Sequence, residues 1–115
     1  MVSYSLKGKR TFQRVFKQGK QFGNRHFYFY YIDSQEEYNY LGIIVSKKVS
    51  KKAVVRNRVR RRIREAYRLA QPEIKHGYYM IIIAKNRCAE ASYAELTKSL
   101  SHLFYKTHLE NKKRK

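Results

Sequence analysis

The stretch from Ala53 to Ala70 constrains the fold more than any other. Val55, Val59, Ile63, Ala66 and Ala70 recur there at spacings of three and four, the signature of one helix face. Asn57, Arg61, Arg64 and Arg68 fall on the opposite face. Pro72 closes the segment soon after. Such a helix docks an aliphatic stripe on a core and turns arginine outward, so the rest of the chain must supply a surface for it to cover.

The basic residues begin before the helix. Lys47, Lys48, Lys51 and Lys52 precede Arg56, Arg58, Arg60, Arg61, Arg62, Arg64 and Arg68, and Glu65 is the only acid among them. A merely solvated helix face would interleave glutamate with arginine one turn apart. Over the chain 27 lysines and arginines face 8 acids, a net charge of +19. That excess repels itself when compact unless a polyanion neutralises it, and nucleic acid is the obvious one. Arginine's planar fork grips phosphate oxygens in pairs or stacks on a base.

No apolar run is long enough for a membrane span and no signal-peptide pattern appears, so the expected location is the cytoplasm and no membrane partner is expected. The single Cys88 fits a reducing compartment and excludes a cysteine-based zinc module.

The remaining elements read as follows. Thr11 caps a short helix carrying Phe12, Val15 and Phe16 on one face and ending at Gly19. His26 to Ile32 reads as a strand with Phe27, Phe29 and Tyr31 on one side and Tyr28, Tyr30 and Ile32 on the other. Asp33 to Asn39 reads as a polar turn into a second strand, Leu41 to Val45, and the two suggest a hairpin. Tyr78 to Ala84 reads as a buried central strand. Ser92 and Glu95 form a capping box before an amphipathic helix with Leu96, Leu100, Leu103 and Phe104. The sum is one α+β domain over residues 1–115, helices on a three- or four-stranded sheet, with 1–9 a flexible basic arm and 109–115 a basic tail.

A nuclease acting alone needs clustered carboxylates or paired histidines. The acids are scattered, with Glu36 and Glu37 placed in the polar turn. His26, His76, His102 and His108 lie in separate segments. No catalytic residue, metal site or bound cofactor is expected in the protein.

Ser46-Lys47-Lys48 at a strand end, followed by Ala53-Val54-Val55-Arg56-Asn57-Arg58-Val59-Arg60-Arg61 opening a helix, resembles the signature of the bacterial ribonuclease P protein family. Phe12-Gln13-Arg14-Val15-Phe16-Lys17, Asn24-Arg25, Leu41-Gly42-Ile43 and Tyr79 to Ala84 arrive in that family's order. Ser50-Lys51-Lys52 departs from it, standing where the family has a glycine and a shorter link.

The resemblance implies an α/β sandwich whose arginine helix lies in a left-handed βαβ crossover, against the usual right-handed rule. It also implies the protein subunit of an endoribonuclease whose chemistry resides in a magnesium-dependent catalytic RNA. Arg25, Lys47, Lys48, Lys51, Lys52, Arg56, Asn57, Arg58, Arg60, Arg61, Arg64 and Arg68 are then expected to meet RNA. Phe12, Phe16, Tyr28 and Tyr30 are expected to line a cleft for the single-stranded 5′ leader of precursor tRNA, with one protein copy in the holoenzyme. The alternatives from composition are a ribosomal or general RNA-binding protein and, less well supported, a DNA-groove binder.

Overall fold

The computed structural model describes residues 3–110. The chain runs β1 (Ser3–Ser5), α1 (Lys9–Gln18), β2 (Lys20–Gly23), β3 (Phe27–Asp33), β4 (Asn39–Ile44), α2 (Ala53–Ala70), β5 (Tyr78–Ala84) and α3 (Tyr93–Lys106), with single 3₁₀ turns at Gln71–Glu73 and Asn86–Ala89. The strands form one five-stranded mixed sheet in the order β1-β4-β5-β3-β2.

β5 sits at the centre because nearly all of it is apolar, which only a strand covered on both faces tolerates. It pairs with β4 in parallel and with β3 antiparallel. That placement overturns the expected β3–β4 hairpin: the two strands are separated by β5 and never pair. It also makes β4, α2 and β5 a parallel crossover unit.

Alternation along the strands divides the core in two. Phe27, Phe29, Met80 and Ile82 join Val59, Ile63 and Ala66 of α2 and Leu96, Leu100 and Leu103 of α3. On the other face Ile81 meets Val15 of α1 and Leu6, with Phe12, Tyr30, Ile32 and Tyr79 packed around them. The arginine helix occupies the range read from its sequence, and α3 begins with the expected capping box: Glu95 N–H donates to Ser92 Oγ and Ser92 N–H to the Glu95 carboxylate.

Several expectations need correction. α1 starts two residues before Thr11, with Gly8 at its cap in the left-handed region (φ 94°) and its carbonyl accepting the Phe12 N–H. Residues 3–9 are no loose arm: Ser3–Ser5 pairs in parallel with β4, Ser3 and Tyr67 are bonded hydroxyl to hydroxyl at 2.7 Å, and Leu6 is buried. Leu109 is buried and Glu110 bridges to Ile74, so neither belongs to a tail. The rest of the expected tail, residues 111–115, lies outside the described residues, as do residues 1–2 of the arm.

Candidate nucleic-acid interface

The topology gathers helix starts at one end of the molecule. β1, β2, β4 and β5 share one direction. α1 and α2 each return from the carboxyl end of one such strand to the amino end of another, and α3 follows β5. Three positive helix-dipole ends therefore lie at the carboxyl ends of β1, β4 and β5. Lys17, Arg68 and Lys106 occupy the last turns at the opposite end, where cations are favoured.

The loop from Ser46 to Lys52 lies at the helix-start end and is built by its own side chains. Lys48 N–H donates to Ser46 Oγ at 3.2 Å and Lys52 N–H to Ser50 Oγ at 3.1 Å. Val49 is buried beneath it. Arg56 Nη1 donates to the carbonyls of Ser50 and Lys51 at 3.0 and 2.9 Å. Lys47, Lys48, Lys51 and Lys52 are thus exposed on an ordered loop rather than a slack one.

The arginines of α2 divide by task. Arg58 Nη2 donates to the Ala89 carbonyl at 2.9 Å and Arg62 Nη1 to the Ala91 carbonyl at 3.0 Å, tying α2 to the segment before α3. Arg60 donates to Asn57 Oδ1 at 3.0 Å, and Arg68 forks onto Glu65 at 3.0 and 2.7 Å. Arg61 and Arg64 are exposed on the outer face with Asn57. A guanidinium has five donor positions, so one or two internal bonds leave Arg56 and Arg58 further donors. Arg25 is exposed in the turn after β2, which Asn24 Oδ1 fixes by accepting the N–H groups of His26 and Phe27. A shallow hollow beside it is lined by Lys98 and His102.

The α1 side of the sheet carries the aromatic residues. Phe12 lies against Gly42, where an added Cβ would stand 2.6 Å from Phe12 Cζ, so much of that ring is committed to packing. Phe16 is 38% exposed and meets Tyr30 edge-on at 4.9 Å between centroids. Tyr28 is 45% exposed, with Lys85 Nζ 4.4 Å from its ring centroid. The same Nζ donates to the Asn24 carbonyl at 2.5 Å. Gly23 is the β2 partner of Tyr28 and sets no side chain beside the ring. Tyr28 and Tyr30 therefore point to one face of β3, where Phe16 meets Tyr30 and Tyr28 lies at the cationic end. The sequence reading missed Lys85 and Gly23. Lys85 directly follows the central strand, but Gly23 becomes informative only once β2 is known.

Three carboxylates are held by neighbours of their own, and one of them, Glu95, lines the hollow beside Arg25. Tyr79 and Tyr40 donate to Glu36 and hold its carboxyl below the ordinary value, the Arg68 bond does the same for Glu65, and the Ser92 backbone N–H does so for Glu95. Burial pushes the Cys88 thiol up to about 11. Among the described residues no group of three or more His, Cys, Asp or Glu is placed to hold a metal ion.

A small α+β protein with one strongly cationic end, an outward arginine face and exposed aromatic rings beside them belongs to the class that meets polyanions. The profile of the family Ribonuclease P matches residues 2–108. The ribonuclease P protein components of Bacillus cereus and Alkaliphilus oremlandii are 41% and 38% identical, with 96% and 92% of each chain covered. The Staphylococcus aureus RNase P protein superposes with a TM-score of 0.85 at 31% identity, covering 94% of this chain and 98% of that one. The Thermotoga maritima protein gives 0.80 at 26% identity, covering 89% and 96%. The chain belongs to the ribonuclease P protein family, the protein component of the endoribonuclease that processes tRNA 5′ ends, and its holoenzyme partner is RNA.

Proposed function

We propose that one copy of this protein joins the catalytic RNA in the cytoplasm and holds the single-stranded 5′ leader of precursor tRNA while the RNA, with magnesium, cuts it. The lysine loop, Arg25 and the Arg56-Asn57-Arg58 end of α2, extended by Arg60, Arg61, Arg64 and Arg68, take RNA phosphates. Phe16, Tyr28 and Tyr30 take leader bases, with Phe12 forming the floor. The β4–α2–β5 crossover is assigned the left hand by the same family reading.

The observation that carries this reading is Tyr28: a half-exposed ring with an ammonium beside it and a glycine across from it. Single-stranded RNA is held by such platforms, where a base stacks and a neighbouring cation meets the phosphate. The protein's contribution in this reading is to bind and orient the leader.

The test is 5′ processing of a precursor tRNA by the cognate catalytic RNA at low magnesium, with the protein, without it, and with the protein alone. Acceleration confined to the combined reaction supports the reading. Cleavage by the protein alone overturns the assignment of chemistry to RNA, and no acceleration overturns the subunit role in favour of general RNA binding.

A further inference from the structure

Where β1 ends, the sheet edge leaves a notch beside the second half of α2. β1 stands at the edge of the sheet and pairs with β4 only as far as Leu41, so Ile43 has no strand partner on that side. The notch has a volume of about 440 Å³ and an apolar floor of Leu6, Leu41 and Ile43. Arg64, Tyr67, Arg68 and Gln71 form its helix wall, a single stripe at spacings of three and four.

The walls are preformed. Ser3 and Tyr67, bonded hydroxyl to hydroxyl at 2.7 Å, tie β1 to α2 across the notch. Gln71 is 5% exposed, and its Nε2 is buried with no hydrogen-bond partner. An amide nitrogen left unpaired in the interior is a cost to folding that an apolar side chain of similar size would not carry. The amide is planar, and a half-turn about its last bond exchanges Oε1 with Nε2, so the same side chain can offer the notch a donor or an acceptor. An incoming polar group satisfies it where the fold does not.

The rim is cationic. Arg64 is exposed there, and Arg68, which gives Nε and Nη2 to Glu65, keeps further donors. No acid is among the described residues that line the notch. An apolar floor, an unpaired amide in the wall and guanidinium groups at the mouth match the parts of a nucleotide, with the base inside and phosphates outside. RNA is read by proteins chiefly through such unstacked bases, whose edges are hydrogen-bonded in a pocket. A simple anion would leave the apolar floor uncovered, and a peptide strand added at the sheet edge would have no use for the arginines.

We infer that this notch is a pocket for one unstacked nucleotide of the catalytic RNA, with the Gln71 amide bonding the base edge and Arg64 and Arg68 meeting the flanking phosphates. This rests on the reading above that the outer face of α2 meets that RNA.

The experiment measures assembly of the catalytic RNA with wild-type protein, Q71L and the outer-face variant R61Q/R64Q. Chemical probing of each base follows, in the catalytic RNA and in bound precursor tRNA, at saturating protein. Q71L keeps the bulk of the side chain and removes the unpaired amide, so its melting temperature is expected at or above that of wild type. Gln71→Met, unbranched and of similar length, carries the same comparison if leucine packs poorly. Affinity of Q71L for the catalytic RNA is expected to fall about two- to tenfold, the worth of one hydrogen bond. Its salt slope stays that of wild type because no charge is lost. One unpaired nucleotide of the catalytic RNA, protected by wild type, becomes reactive with Q71L.

Unchanged affinity and protection with Q71L, while R61Q/R64Q weakens assembly, overturns the inference alone. An R61Q/R64Q complex that assembles like wild type overturns the reading of the outer face, and the inference with it. A Q71L-sensitive nucleotide found on precursor tRNA instead overturns the assignment to the catalytic RNA. No such nucleotide on either RNA leaves the notch to another occupant, an extended peptide at the β1 edge among them, and overturns the inference as well.

Discussion

Lys85 Nζ stands over the ring of Tyr28 and donates to the Asn24 carbonyl, so one ammonium joins the end of β5, the turn after β2 and a half-exposed tyrosine of β3. Tyr28 is a poor core residue: its neighbour on β2 is Gly23, and nearly half of its surface is open. An exposed ring flanked by a cation offers a face on which a base can stack with its phosphate near the charge.

Tyr28→Ala is therefore expected to weaken binding of leader-bearing precursor tRNA by about 1–3 kcal/mol, the range for losing one base-stacking platform. Binding of leaderless tRNA by the same holoenzyme stays within twofold of wild type. Equal loss on both substrates would show that Tyr28 serves the fold or the catalytic RNA instead. Gly23→Val, which sets a side chain against the open ring, is expected to act in the same direction.

The arginines of α2 predict a separation of stability from binding. Arg58→Ala and Arg62→Ala each remove a charged donor from a partly buried backbone carbonyl and are expected to cost about 1.5–3 kcal/mol of folding stability in denaturant titrations. Arg61→Gln and Arg64→Gln leave stability within about 0.5 kcal/mol, as exposed substitutions usually do. Each flattens the salt dependence of RNA binding by about one unit. An unchanged salt slope for R61Q/R64Q removes the outer face from the interface.

That division was not legible in the sequence. Periodicity placed Val59, Ile63 and Ala66 inward and Arg61, Arg64 and Arg68 outward, because a period near 3.6 is a local property of the helix. It could not tell that Arg58 and Arg62, on the flanks, spend donors on Ala89 and Ala91, since those carbonyls come from about 30 residues away. Strand pairing failed for the same reason. Proximity in the chain suggested a β3–β4 hairpin, whereas the burial demanded by Tyr78–Ala84 inserted β5 between them. β1 and β2 are short, polar and at the sheet edges, where one-sided pairing imposes no hydrophobic alternation to read.

Gly42 carries a prediction about packing. Its missing side chain admits the Phe12 ring, and an added Cβ would fall 2.6 and 2.9 Å from two ring carbons. Gly42→Ala is expected to destabilise the protein by about 1–3 kcal/mol through overpacking. Gly42→Ala with Phe12→Leu is expected to recover part of that loss, because the shorter side chain yields the contested space. A double variant no more stable than the sum of the two single losses would show that the ring is not the obstruction.

His26 predicts a pH dependence. It is 7% exposed, and its Nδ1 has no hydrogen-bond partner. Burial is the main cause holding its pKa below 6.5; Arg25 and Arg87 act the same way and Glu95 opposes them. The folded protein thus prefers the neutral ring, while the unfolded chain takes up a proton near the ordinary value. Stability is complete above pH 6.5 and falls as the pH drops from there through the folded-state pKa. The melting temperature is accordingly expected to decline between pH 7.5 and 5.5, a window in which ordinary carboxylates stay ionised. His26→Gln cannot titrate and is expected to shrink that decline, whatever its effect on stability at pH 7.5. An undiminished decline in the variant would show that His26 is not its cause.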